Sequence, residues 1–346
     1  MSIEVLAASP PPEADVQSSE PIPAEGKGQA EQTGPHPAAK PRRLTPGDRR
    51  VRIINLGAII IPFLGLATLA WLSWGTGFDW TQFGIMWIMG ITSAIGVTVG
   101  YHRLFTHKAF AAPAPVRYAL AAMGSMAVQG PVIEWAATHR RHHQHSDESE
   151  DPHSPHAHEG GTWGDGILDT LRGFAHAHFG WLIEGRQRGG GRYSVDLRAD
   201  PVLVAASRHF KLWVLIGLVA PAVMGGLITM TWWGAFLGFL WGGMARVFVV
   251  HHVTWSINSV CHLWGTQPFR SHDESRNNAL FGVLALGEGW HNNHHAFPTS
   301  ARHGLRWWEL DMSYMIIRGL GLVGLARDIR VPSQERMDEK LKTNER

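Results

Sequence analysis

Residues 80–107 read WTQFGIMWIMGITSAIGVTVGYHRLFTH. The first 22 of them, Trp80 to Tyr101, carry no charge, and about 20 apolar residues suffice for one helical crossing of a bilayer. The stretch then runs straight into His102 and His107. A span that ends on histidines sets how the rest of the chain is read.

Similar runs lie on either side. Ile53 to Phe78 are 26 uncharged residues, and 34 more lie between Lys211 and Arg246. One helix of the latter length would overshoot a core of roughly 30 Å, so a turn near Thr229–Gly234 is expected to divide it. The expected fold is an all-α membrane protein of four transmembrane helices in two hairpins, over about 53–76, 81–101, 212–229 and 234–251. Residues 102–211 and 252–330 would form a cytoplasmic helical cap, giving one membrane domain over 49–330. The apolar segment Val116–Ala137 leads into further histidines. A fifth crossing there would put neighbouring histidine clusters on opposite sides, so it is read as an interfacial or cap-packed helix.

Arg42, Arg43, Arg49, Arg50 and Arg52 precede the first span, and the loops inside both hairpins contain no Lys or Arg. The positive-inside rule then places both termini and every histidine cluster on the cytoplasmic side. The 16 tryptophans suit a protein with two lipid–water boundaries. Net charge is +2 over 346 residues, which speaks against a nucleic-acid footprint. A single cysteine, Cys261, excludes an internal disulfide framework and thiolate iron sites within the chain. Residues 1–48, rich in Pro, Ala, Glu and Gly, are read as a disordered tail without a secretory signal, and 331–346 as a polar tail that frays.

Nine histidines carry the chemistry. They are His102 and His107; His139, His142 and His143; His262; and His291, His294 and His295. Residues three and four apart share a helix face, so each H-x-x-H-H cluster is expected to aim three imidazoles at one point. His102 and His107 are five apart, about 140° around a regular helix, and are expected to approach from either side of a helix end. Nine imidazoles are too many for one zinc, which takes four ligands. They suit two ions of an imidazole-binding metal such as iron, with room for oxygen or water. His251, His252 and His272 are read as packing or surface residues, and His153-Ser-Pro-His156-Ala-His158 as a histidine-rich loop.

These residues bring a family into view. The chain resembles the integral-membrane fatty acyl desaturases, in particular the stearoyl-CoA (delta-9) type, over roughly residues 50–330. The matching segments are Gly100–His107, His139–His143 with Ser146-Asp147 and Asp151-Pro-His153, Asn258–His262, and Gly287–Pro298. The resemblance implies a di-iron centre ligated by the nine histidines above, with Asn258 contacting one iron through water. It implies a reaction that spends O₂ and two electrons to place a cis double bond, at delta-9, in a saturated acyl chain. It also implies that Trp135, Gln129 and Thr254 shape a bend in the substrate tunnel. Animal acyl-CoA relatives hold the CoA nucleotide with Arg-Asp and Arg-Lys pairs. Here those positions are Ala137, Thr138, Gly185 and Arg186, so one basic residue survives among them, and two carriers stay open: CoA held through Arg186, Arg188 or Arg192, or a membrane lipid.

No haem segment, cysteine cluster or dinucleotide motif is found, so electrons must come from a separate ferredoxin, rubredoxin or cytochrome b5-like protein and its reductase. Two other readings stand beside the desaturase. One is a membrane hydroxylase or alkane monooxygenase on the same scaffold. The other is a histidine-rich metal transporter or sensor, which would want ionisable residues inside its spans.

Overall fold

The computed structural model describes residues 45–74, 78–184 and 190–342. Arg186, Arg188 and residues 1–44 lie outside the described residues. The described chain is mostly helical, with one two-residue-strand hairpin pairing β1 (Ala157–His158) and β2 (Gly161–Thr162).

Four helices are long and apolar enough to cross a membrane: α1 (Pro46–Ser73), α2 (Trp80–Thr106), α7 (Phe210–Thr229) and α8 (Trp232–Leu263). Polar caps fix where they start. Thr45 and Asp48 form a reciprocal capping box on α1, Asp79 accepts from the Gln82 amide of α2, and Thr231 accepts from the Gly234 amide of α8. Each cap satisfies a helix-end amide that has no partner within the helix. Between α7 and α8 the chain reverses at Met230, whose φ is +52°.

Burial sorts the four. In their most apolar stretches α1 and α7 are each only 17% buried, against 44% for α2 and 56% for α8. The outer pair therefore faces lipid, and the inner pair forms the walls of whatever lies between them. Of the inner pair α8, at 32 residues, is the longest of the four helices, and α2 runs 27. At about 1.5 Å per residue, the 32 residues of α8 reach about 48 Å, well past a hydrocarbon core of roughly 30 Å. Their projecting ends carry His102 and His262.

Arg246, which bounds the uncharged run in sequence, sits inside α8 with 1% of its surface exposed. It donates to the carbonyls of Gly242 at 2.9 Å and Gly217 at 2.8 Å, to the Ser93 hydroxyl at 3.1 Å, and to the Met126 carbonyl. One guanidinium thus ties α2, α7 and α8 to the turn at Met126. A buried cation in a span needs such partners to be tolerated at all.

The segment 116–137 is not one helix. Val128 and Gly130 adopt positive φ, of +61° and +97°, and break it into α3 (Ala114–Ser125) and α4 (Val132–His145). Both pack against the end of α2. A Cβ on Gly96 would stand 2.0 Å from the Gly124 amide nitrogen, and one on Gly124 would stand 2.5 Å from the Tyr101 ring. Among the described residues, the other α-helices of six residues or more are α5 (Ile167–Ala175), α6 (Pro201–Arg208), α9 (Ala279–Leu284), α10 (His291–Ala296), α11 (Met312–Leu322) and α12 (Gln334–Lys340).

Within the C-terminal segment, Gln334–Lys340 form helix α12. α12 packs Met337 near Phe269 and Phe297, and Lys340 donates to the Ala296 carbonyl at 2.6 Å. The docking partner is the back of α10, which no local sequence pattern could announce.

Replacing Gly96 with Ala sets side chain against backbone, which cannot give way. We expect Gly96→Ala to cost at least the ~1–3 kcal/mol typical of overpacking, read as a lower thermal midpoint in detergent. Gly84→Ala, where an added Cβ meets nothing within 4 Å, is the control and should not lower the midpoint.

Candidate metal centre

His102 and His107 are brought together by the winding of α2. From Gly96 to Thr106 the helix widens to i→i+5 hydrogen bonding, and the His107 amide donates to the His102 carbonyl at 3.2 Å. In such a π-type turn, residues five apart lie over one another. The helix ends at Thr106, so His102 lies inside it and His107 at its cap, on either side of the helix end as expected, and the two rings stand 4.8 Å apart and nearly perpendicular.

The two H-x-x-H-H clusters do not each converge on one point. Successive helix residues are about 100° apart, so His142 and His143 diverge, as do His294 and His295. The result is two groups built from mixed sources. His102, His107, His139, His143 and His294 form one, and His142, His262, His291 and His295 the other. Within each group the ligand-capable atoms all lie within 4.8 Å of one another. All nine sequence-selected histidines fall in these groups.

Four carboxylates grip the imidazoles from behind. Nδ1 of His102 meets Glu288 at 2.5 Å, and Nδ1 of His142 meets Asp151 at 2.9 Å. Nδ1 of His262 meets Asp147 at 2.9 Å, and Nδ1 of His295 meets Asp273 at 2.5 Å. A carboxylate that accepts a hydrogen bond from Nδ1–H fixes the tautomer and turns the Nε2 lone pair inward. Glu288 is itself held by Arg103, which donates to it at 3.1 Å and to Asp311 at 2.9 Å. The turn carrying Glu288 requires glycine at 287, where φ is +112° and a Cβ would stand 2.4 Å from Asp311 Oδ1. Asn293 secures α10 by donating to the His303 carbonyl and to Glu309, both at 2.8 Å.

These positions fit cations. Facing Nε2 atoms lie 3.1 Å apart for His102 and His294, 3.1 Å for His139 and His143, 2.9 Å for His143 and His294, and 3.1 Å for His262 and His291. Two nitrogens bound at right angles about 2.1 Å from one ion would be about 3.0 Å apart. With no ion, inward lone pairs at that distance would repel. Nε2 of His107, of His142 and of His295 are buried with no hydrogen-bond partner, and buried polar atoms are rarely left so. Burial, reinforced by neighbouring imidazoles, holds His107, His139, His143, His291 and His294 far below the ordinary histidine value. They are neutral near pH 7, the form that binds metal. Burial alone would raise Asp151, but His142 beside it holds that carboxyl down to about 2.

His303 is a site residue that spacing did not flag. Its ring lies 4.4 Å from His294 and 5.4 Å from His102. The loop histidines are also structural: the His153 ring lies 4.4 Å from His142, and His156 donates to the His262 carbonyl at 2.8 Å. His251 donates to the Ala127 carbonyl at 2.8 Å, so it is a packed residue as read.

An apolar cavity between α2 and α8 reaches the histidines, and His102, His139, His291 and Asn258 line it. Trp135 and Thr254 line it too. Trp135 donates to the Gln129 carbonyl oxygen at 3.2 Å, and Gln129 donates to the Thr254 hydroxyl at 2.9 Å. The Trp135 ring also stacks on His139 at 5.1 Å. The three residues are thus one hydrogen-bonded unit at the inner end of the cavity.

Apolar spans, a buried polyhistidine metal site and an apolar cavity ending on it define a membrane-embedded metal oxidoreductase of apolar chains. Residues 78–321 match the fatty acid desaturase family, and the chain belongs to that family. It is 41% identical to a hex-5-enoyl-[acyl-carrier protein] acetylenase of Moorena producens, over 81% of this chain and 87% of that one. It is 36% identical to an sn-1 stearoyl-lipid 9-desaturase of Anabaena variabilis, over 79% and 93%. It is 35% identical to a chloroplastic palmitoyl-monogalactosyldiacylglycerol delta-7 desaturase of Arabidopsis thaliana, over 83% and 72%.

Removing a carboxylate should loosen the metal without unfolding the site. Asp273→Asn and Glu288→Gln are each expected to lower metal affinity by roughly 10–100-fold, measured as iron retained against a graded chelator. Retention equal to the parent chain would show that these carboxylates do not orient the imidazoles.

Proposed function

We propose that this chain is an O₂-dependent desaturase that sets a cis double bond, at delta-9, into a saturated acyl chain. The observation that carries the reading is the apolar cavity that ends at nine imidazoles in two adjacent groups. His102, His107, His139, His143 and His294 would hold one iron. His142, His262, His291 and His295 would hold the other, with Asn258 contacting it through water. Two irons with O₂ would supply the breaking of unactivated C–H bonds, chemistry beyond any side chain. Two hydrogens leave adjacent methylenes, and with O₂, two electrons and two protons they become two waters.

The chain's own residues do the positioning. Trp135, Gln129 and Thr254 hold a bend that presents one pair of carbons to the metals, which is where regiochemistry is set. The apolar walls keep water from the reacting carbons. A separate ferredoxin, rubredoxin or cytochrome b5-like protein delivers the electrons. The spans form two hairpins, with the cap and both termini in the cytoplasm. The name of the acetylenase relative makes a triple bond a further product to look for.

Expression in a host lacking its own desaturase, with a donor supplied and double bonds located by mass spectrometry, tests this directly. New cis-9 monoenes are expected. Hydroxylated chains would point instead to a monooxygenase, and tightly bound zinc with no lipid product to metal transport or sensing. His142→Ala and His294→Ala are expected to abolish turnover while the chain still inserts into membranes. Full activity in either would remove the di-iron assignment. Trp135→Ala is expected to shift the double bond or slow its formation more than it lowers expression. An unchanged product and rate would reduce Trp135 to packing.

A further inference from the structure

Helix α10 is six residues long and holds three of the nine imidazoles, His291, His294 and His295. A helix that short is not stable by itself in water. Yet it serves both ligand groups, His294 in one and His291 and His295 in the other. Whatever fixes α10 therefore fixes both. Asn292 donates to the Phe269 carbonyl at 3.1 Å and accepts from the Phe269 amide at 2.8 Å, so it occupies one edge of the backbone at 268–270. The other edge is taken by the chain at the end of α12. The Arg270 amide donates to the Lys340 carbonyl at 2.8 Å, and the Lys342 amide donates to the Pro268 carbonyl at 2.9 Å. Phe269 thereby pairs antiparallel with Leu341, and one strand-like segment joins α10 on one side to α12 on the other.

Lys340 then reaches across to α10 itself. Its Nζ donates to the Ala296 carbonyl at 2.6 Å and stands 5.3 Å from the centre of the Phe297 ring. Ala296 is the last residue of α10, where carbonyls lack partners within the helix and a cation is favoured. Met337, three residues before Lys340 and so on the same face of α12, packs against Phe269 and Phe297. We propose that residues 334–342 are a latch on α10, with Lys340 the positioning residue that holds its last turn, so that the latch sets how tightly the chain keeps its metals. The inference rests on the metal reading of the histidines. Two features argue for a latch rather than ordinary packing. First, the attachment is polar and shallow: backbone pairs, one ammonium and one methionine, with Glu335, Arg336, Asp338 and Glu339 exposed on the outer side. Such a layer opens at low cost relative to a core helix. Second, its contacts end on the turn that carries His294 and His295, so opening it loosens one imidazole of each group.

Two substitutions in the full chain test this. Lys340→Met keeps an apolar stem and removes the donor, and Lys340→Arg keeps the cation. The first readout is amide hydrogen exchange of the metal-free chain in detergent. The amides of His294 and Phe297 donate to the Trp290 and Asn293 carbonyls. They are expected to exchange several-fold faster in Lys340→Met, while the amides of α4 keep the parent rate, and Lys340→Arg should restore them. The second readout is release of ⁵⁷Fe from the loaded chain to an excess of chelator. Release is expected to be several-fold faster in Lys340→Met, with the Mössbauer signals of both irons altered because α10 serves both groups, and close to the parent in Lys340→Arg.

Exchange in α10 that matches the parent, that is already unprotected in the parent, or that rises equally in every helix would overturn the latch. Faster α10 exchange with unchanged iron release would overturn its role in keeping metal. A parent chain that binds no iron, with α10 exchange still governed by Lys340, would uphold the latch on α10 and count against the metal reading.

Discussion

An imidazole binds metal only when its proton is held on the far nitrogen, and here that condition has to be met inside protein, out of reach of water. Buried carboxylates on Asp147, Asp151, Asp273 and Glu288 meet it for His262, His142, His295 and His102. Each carboxylate is costly to bury alone and stable only when fully hydrogen-bonded. The surrounding architecture supplies those bonds. Arg103, itself braced by Asp311, donates to Glu288, Ser275 donates to Asp273, and Ser154 donates to Asp147. The segments around the histidines are in this sense a frame for their second nitrogens.

The same frame explains why the inner helices outgrow the bilayer. α2 and α8 must deliver His102, His107 and His262 beyond the hydrocarbon and still wall the cavity within it. The π-type turns in both helices and the close approach of Gly96 to Gly124 are local departures from ideal geometry that make this reach possible. Arg246 joins three spans and the turn at Met126 at the far end of the same cavity. Metal site and chain-binding space are therefore the two ends of one pair of helices, and a shift in either helix moves both.

Much of this was legible in the sequence. Charge-free runs marked the four long helices, because a bilayer tolerates few charges. Repeated H-x-x-H-H spacing, taken with His102, His107 and the later His262, marked all nine histidines. What stayed hidden depends on pitch and on distance. A regular pitch separates His102 from His107, and the widened winding that ends at Thr106 brings their rings together edge to face. Spacing suggests that a cluster converges, whereas the 100° step between neighbours sends His142 and His143 to different groups. Asp273, Glu288 and His303 reach their partners from remote segments with no local pattern to announce them. Arg246 looked like a boundary because sequence alone cannot show the carbonyls that accept its protons.

The central claim is that nine imidazoles make two adjacent sites for one kind of metal. Metal analysis with Mössbauer spectroscopy on the full chain, grown in ⁵⁷Fe and purified without chelator, tests it most directly. The account requires two irons per chain in all-nitrogen and oxygen environments. A single iron, or zinc filling the same positions in active protein, would contradict it.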